Sequence, residues 1–473
     1  MTTAARRRLV LAIILTGYLL VLIDVSIVMV ALPHVRDDLG FSTTALSWVQ
    51  NAYTLVFGGM LLLGARVGDL LGRRRTFVAG IGLFTLASLA VGLAQSPPEL
   101  IAARAVQGIG AATLAPSTLA LLSTSFPDGP GRARAMAAYG SLGGIGVTIG
   151  LLLGGVFTDW LSWRVGFFVN VPVGIVAMLA APRFLPETGR HEGRLEITGA
   201  LSSTFGASLL VYGIVRSADA GWTDTVTLAA LAAGVALVAL FVADQARSDH
   251  PIMPLRLFAD PERAGAYAAR FLFNGVLLSS FYFLTLYLQG VSGYSPLQAG
   301  VAFLPQTIVA FAAGALIVPR LTRRLGTSTV AVAGVAAMVL TAAWLSRLSI
   351  GTPYVTGVAL PMIFYGIAQA LSLSSLTTAG MARVGPQDAG VAGGLVNVTH
   401  HLGGALGLGI LTTVFAAAGS TASDPHELLA DRVSAAFTGG TVIALVALAV
   451  TALVARTRTE APAQTLVDQP ATR

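Results

Sequence analysis

Apolar runs of about twenty residues recur fourteen times along this 473-residue chain, separated by short polar segments. One helix needs ~20 such residues to cross the hydrocarbon core of a bilayer. The runs fall at 9–33, 47–69, 76–95, 99–125, 134–157, 164–183, 197–216, 225–246, 265–289, 298–320, 327–346, 353–382, 390–417 and 434–456. They lack the period-two alternation of a porin-type strand, which excludes a β-barrel. Only 11% of the residues are charged, against about 25% in soluble domains, too few to cover a water-facing surface. Many of the 53 glycines and 21 prolines lie inside the runs. That is tolerated in membranes, where neighbouring helices pack closely and re-satisfy freed backbone groups. The expected fold is an all-α integral membrane protein with fourteen transmembrane helices.

Arginine placement orients the chain. All 29 basic residues are arginine, and there is no lysine and no cysteine. This excludes Schiff-base chemistry, a Walker-type phosphate loop, disulfides, thiolate metal sites and cysteine nucleophiles. With the N-terminus inside, 21 arginines fall in inside segments and 5 outside, while Arg66, Arg104 and Arg270 lie in the runs. The bias follows the positive-inside rule and places both termini in the cytoplasm. The net charge of +7 is spread over many short loops, so it does not signal nucleic-acid binding. Arg6–Arg8 followed by an apolar run imitates a signal peptide, but the run is too long and has no small-x-small cleavage site, so it reads as a retained first helix.

The polar connections at 184–196, 247–263 and 418–433 are too short for a soluble domain, and the segment after Arg456 has the composition of a disordered tail. Gly64–Arg75 and Gly314–Gly326 resemble each other: each is a glycine-led helix end followed by an arginine-rich turn. Such internal similarity suits a transporter of two six-helix bundles with a site between them. The expected division is 1–183 for the first bundle, 184–262 for a linker with two extra helices, 263–456 for the second bundle and 457–473 for a cytoplasmic tail.

Charges at bilayer depth are costly and usually functional. Asp24 and Arg104 are the deep ones, while Asp69 and Arg270 lie near span ends. A carboxyl at the depth of Asp24 can take up and release a proton as its surroundings change. The alternative is a structural carboxylate paired with a helix amide or with Arg104. Arg104 stays charged at any depth and so serves to hold a partner or order a polar network. In the turn from Gly68 to Arg75, Asp69 is placed to accept from the next helix's N-terminus, Gly72 permits a tight passage, and Arg73 is placed to pair with an acid of a neighbouring helix. Such pairs can latch one conformation; the alternative is a purely topogenic arginine cluster. Gly146, Gly150 and Gly154 share a helix face at four-residue spacing, with Gly155 beside them, which allows close helix contact. Candidate cavity residues are Asn51, Tyr53, Asn274, Tyr282, Gln306, Asn397 and His400. His400–His401 have no acidic or cysteine partner in their span, so no metal is expected, and no nucleophile–histidine–acid arrangement suggests an enzyme.

These motifs resemble the major facilitator superfamily, specifically its fourteen-helix drug:proton antiporters. The resemblance rests on Leu22–Pro33, Ser47–Leu55, Gly68–Arg75, Ala103–Ala112, Trp163–Gly174 and Tyr287–Gly300. It implies that Asp24 couples transport to protons and that Asp69 and Arg73 belong to a conformational switch. Ala65, Leu151 and His400 depart from the family pattern, standing where glycine, proline and arginine are usual. The implied function is efflux of amphiphilic, neutral or monocationic compounds such as drugs or antibiotics, in exchange for protons and with no other cofactor. A monomer in the bacterial inner membrane, surrounded by lipid, is expected. A lipid or lipid-linked metabolite exporter is the alternative.

Overall fold

The computed structural model describes residues 3–126, 129–187, 197–248, 251–385, 388–419 and 423–460. Its fourteen apolar helices are α1 (Ala5–Leu39), α2 (Ala45–Leu71), α3 (Arg73–Leu93), α4 (Pro97–Ser125), α5 (Arg134–Trp160), α6 (Trp163–Phe184), α7 (Ile197–Ala220) and α8 (Thr225–Arg247), followed by α9 (Pro261–Gly290), α10 (Pro296–Leu325), α11 (Thr327–Leu345), α12 (Val355–Gly380), α13 (Ala389–Ala417) and α14 (Pro425–Arg456). Each expected run is one helix, usually longer than the run because amphipathic ends extend past the apolar part. The expected outside loop 418–433 is shorter than read, since the last helix already begins at Pro425. That helix continues to Glu460, so the expected tail starts later; 461–473 and most of the 184–196 connection lie outside the described residues.

Helices α10 and α6 are interrupted along their length. In α10, Pro305 and Pro319 cannot donate to the ladder. The helix accordingly runs as Pro296–Ala302, Leu304–Ala312, a π turn at Ala313–Ile317 and Val318–Leu325. In α6 a break at Val169 precedes Asn170.

Helices α1–α6 pack into one bundle and α9–α14 into another. The repeat seen in the sequence is a repeat in geometry. Gly72 (φ 101°) and Gly326 (φ 80°) each end one helix and start the next, in a backbone region that a side chain would strain. Both turns lie on the face that carries the N-terminal arginines, here the arginine-rich face.

The bundles meet unevenly along their length. At the arginine-poor end, Gln289 Nε2 of α9 donates to Val30 O of α1 over 2.8 Å, and Ser295 Oγ donates to Asp159 over 2.9 Å. There α5 and α10 touch backbone to backbone: a Cβ at Gly155 would sit 2.7 Å from Leu297 Cα, and one at Gly300 would sit 2.6 Å from Leu151 O. Towards the arginine-rich end of the same two helices, a Cβ at Gly140 or Gly314 meets nothing within 4 Å. The α5–α10 seam is thus closed at one end and parted at the other. On the opposite flank, α2 and α13 stay in contact, with Gly58 against His401 and Gly394 against Leu62.

The extra pair is not peripheral. Helix α7 lies across the α2–α13 seam: Thr204 abuts Gly59 of α2, and Thr413 of α13 donates to Ile214 O over 2.8 Å. Asp219 accepts from Thr44, just before α2. Helix α8 packs on α7 and otherwise presents apolar side chains such as Val235 and Leu240 outward.

Candidate functional site

Asp24 (1% exposed) and Arg104 (0%) form one ion pair inside the first bundle, with Arg104 Nη1 donating to Asp24 Oδ2 over 2.6 Å. The carboxylate is therefore not isolated. Its other oxygen, Oδ1, accepts from Gln107 Nε2 at 2.7 Å and from Asn170 Nδ2 at 3.2 Å. Ser88 Oγ accepts from both amides, at 2.7 and 3.3 Å. Arg104 is held further by Val49 O at 3.0 Å and Gln107 Oε1 at 2.6 Å, and its guanidinium lies 4.3 Å from the Tyr53 ring centre. Five helices (α1, α2, α3, α4 and α6) thus contribute to one network centred on this carboxylate.

Small residues make this convergence sterically feasible. The Gly146/Gly150/Gly154 ridge of α5 lies on α1 around Asp24: Cβ atoms there would meet Leu22, Ser26 and Ile27 at 2.6 to 3.0 Å. Gly155, next on the helix, faces α10 instead. The ridge therefore seats the acid-bearing helix, and its neighbour seats the other bundle. Leu151, where the family pattern has proline, is buried and contributes the carbonyl that meets Gly300.

At the α2–α3 turn the structure exchanges two expected roles. Asp69 takes the guanidinium of Arg73, one helical turn on. The N-terminus of α3 is met instead by Glu187, beyond the end of α6, which accepts from Arg74 N at 3.1 Å and lies 3.4 Å from Arg74 Nε and 3.7 Å from Arg75 Nε. A Cβ at Gly72 would lie 2.6 Å from Glu187 Oε1, so glycine is needed there for approach as well as for its dihedral. The second bundle has its own ties on this face: Arg383 pairs with Asp260 and Glu262, and Arg256 with Asp388.

The candidate cavity residues divide. Tyr53 belongs to the Asp24–Arg104 network. Asn51 is fully buried on α2 with neither side-chain polar atom partnered. Asn274 donates to Arg270 O, and Gln306 donates to Gln369 across α10 and α12 at 3.0 Å. Asn397 is exposed on α13 at membrane depth. His400 and His401 face each other edge-on at 5.0 Å, and His401 lies 4.1 Å from the Phe57 ring of α2. Tyr282 is buried at the closed arginine-poor end of the interface, where its hydroxyl points at Thr43 O, 3.4 Å away. Arg270, read as lying near a span end, is buried among α9, α12 and α13.

Residues 14–408 match the profile of the Major Facilitator Superfamily. The chain belongs to that superfamily. The cephamycin export protein CmcT of Amycolatopsis lactamdurans is 41% identical, over 94% of this chain and 91% of the relative. The puromycin resistance protein pur8 of Streptomyces alboniger is 40% identical, over 87% and 82%. The crystal structure of a bacterial homolog of the human lysosomal transporter Spinster, inward-facing and unoccupied, shares the fold at a TM-score of 0.69 and 18% identity, covering 96% of this chain and 98% of that one. The protein is a multi-pass membrane protein of this transporter superfamily, and antibiotic export and resistance proteins are among its relatives.

Proposed function

We propose that this chain exports amphiphilic, neutral or monocationic organic compounds, antibiotics or drugs among them, in exchange for protons. It acts as a monomer in the bacterial cytoplasmic membrane with both termini in the cytoplasm. The observation that carries the proposal is the Asp24–Arg104 pair, the titratable centre of a network shared by five helices. Protonating Asp24 removes its charge and frees the grip of Arg104 and the two amides. Arg104 keeps Val49 O, Gln107 Oε1 and the Tyr53 ring, so the cation retains partners when the acid is neutral. Loosening α1 in this way acts on the bundle whose α5 and α1 also form the closed interface with α9 and α10. Proton uptake thereby biases the choice between inward- and outward-facing arrangements. Because Asp24 is already paired, a dication finds no free carboxylate here, and burying an unpaired charge costs several kcal/mol.

The test is efflux from proteoliposomes under an imposed pH gradient. The wild type is expected to move a fluorescent amphiphile against a counterflow of protons, and Asp24→Asn to bind it without gradient-driven transport. Normal coupled efflux by a well-inserted Asp24→Asn protein refutes the assignment.

A further inference from the structure

The two deep arginines are treated differently. Arg104 has Asp24. Arg270 sits nine residues into α9, about 14 Å along the helix, and is 7% exposed. Its Nε donates to Val396 O of α13 at 3.0 Å, and its Nη1 donates to Leu373 O and Thr377 Oγ1 of α12 at 3.1 and 2.8 Å. All three acceptors are uncharged. Among the described residues no carboxylate lies within ion-pair distance of it; Asp260 and Glu262, at the start of the same helix, are engaged by Arg383. Among the described residues, the second bundle therefore holds a positive charge at membrane depth with no counter-charge, a costly arrangement that marks functional sites in membrane proteins.

The fork is also incomplete. Nη2 donates to no described residue, although the other two nitrogens are fixed by backbone and hydroxyl oxygens. The guanidinium is thus held rigidly with one edge unused. One turn beyond Val396, His400 has a buried Nδ1 without a partner, and its ring meets His401 edge-on at 5.0 Å. Ser374, Thr378 and Asn397, each next in sequence to a residue that holds Arg270, are polar and exposed at membrane depth on α12 and α13. A cation with a spare donor edge, and an imidazole one turn along α13 from the carbonyl that holds it, suits an anionic oxygen, through a charge-assisted hydrogen bond.

We propose that Arg270 and His400 form an anion subsite on the second bundle that receives a carboxylate of the exported compound. This rests on the export reading above and narrows it: the favoured neutral substrate is one whose carboxylate is balanced by its own cationic group. Arg270 supplies the missing half of a charge pair that the first bundle completes internally.

The probe is a xanthene dye with a free carboxylate, compared with its methyl ester, bound to the purified full-length protein. The wild type is expected to bind the carboxylate form at least about tenfold more tightly than the ester, the size of one charge-assisted hydrogen bond. Arg270→Gln is expected to abolish that preference while leaving ester affinity unchanged, the ester also serving as the control for folding. Arg270→Lys, keeping the charge without the fork, is expected to retain part of it. In the wild type itself, octanoate is expected to displace the carboxylate dye and octanol is not. Equal binding of both dyes by the wild type, or an undiminished preference in Arg270→Gln, overturns the subsite. Because the readout is binding without a gradient, a failure of proton coupling alone leaves it standing.

Discussion

The contact at Gly155 offers the most direct way to move the protein between its two facings. A methyl group there would stand 2.7 Å from Leu297 Cα and 2.9 Å from Pro296 O, where ordinary contacts begin at 3.4 Å. The obstructing atoms are backbone, so no side-chain rotation relieves them. Overpacking of this kind costs about 1–3 kcal/mol, and the cost applies only while the arginine-poor ends of α5 and α10 are together. Gly155→Ala should therefore shift the equilibrium towards the state open at that end by about 5- to 150-fold. The chain has no cysteine, so spin labels can be placed on introduced cysteines without background. Leu161→Cys with Ser292→Cys, both exposed, reports the arginine-poor end. Leu71→Cys with Leu325→Cys, each immediately before a positive-φ glycine, reports the other. Gly155→Ala should lengthen the first distance and shorten the second. Unchanged distance distributions in both pairs, or a change in the opposite sense, would show that this seam does not set the conformation.

The buried pair predicts a cycle in stability. Asp24→Asn leaves Arg104 as an uncompensated buried cation and should cost about 3–5 kcal/mol, whereas Asp24→Asn with Arg104→Gln should be less damaging than the single change; thermal unfolding in detergent that shows additive losses would count against this. Arg73→Ala removes the partner of Asp69 at the α2–α3 turn, away from the network at Asp24. It should slow the exchange between facings while leaving dye affinity within about twofold, since it acts on an equilibrium between states; a large affinity loss with unaltered exchange kinetics is the contrary result. At the α7–α8 turn, the hydrogen bond from Arg216 holds the Asp224 carboxyl down to about 2, helped by Thr227 N. A lowered folded-state pKa gives stability that is present above the ordinary carboxylate value near 4 and is lost as pH falls towards 2. Acid unfolding curves of Asp224→Asn should therefore lie below wild type at neutral pH and converge with it in that window; parallel curves throughout would rule this out.

What the sequence revealed followed from one-dimensional signals. The helices were legible because twenty apolar residues suffice to define a crossing, and Asp24 and Arg104 because charge at that depth is rare. The i, i+4 relation of Asp69 and Arg73 was available too, yet the expected roles differ from those found. Glu187 sits 113 residues from the Arg74 amide it binds, and no local pattern links them. Ser88, Gln107 and Asn170 lay in unremarkable polar positions, two of them inside family-like motifs, and only packing shows that the two amides aim at one carboxylate and share one hydroxyl. The surroundings of Tyr282 and Arg270 were hidden for the same reason: depth along a helix is readable, but the direction a residue faces is not. The seat of α7 was likewise invisible, since its apolar faces look alike until Thr204 and Thr413 show which helices they meet.

That seat has a consequence for how oily compounds reach the protein. Helix α7 covers the α2–α13 flank and keeps a grip on both bundles there, so the flank acts as a spine and is walled off from the acyl chains. The α5–α10 flank has no such cover, and its arginine-rich half is parted, with Met136, Ile145, Ile308 and Leu316 exposed along the two helices. Among the described residues, the seam between the bundles is therefore left uncovered towards the acyl chains on the α5–α10 flank alone.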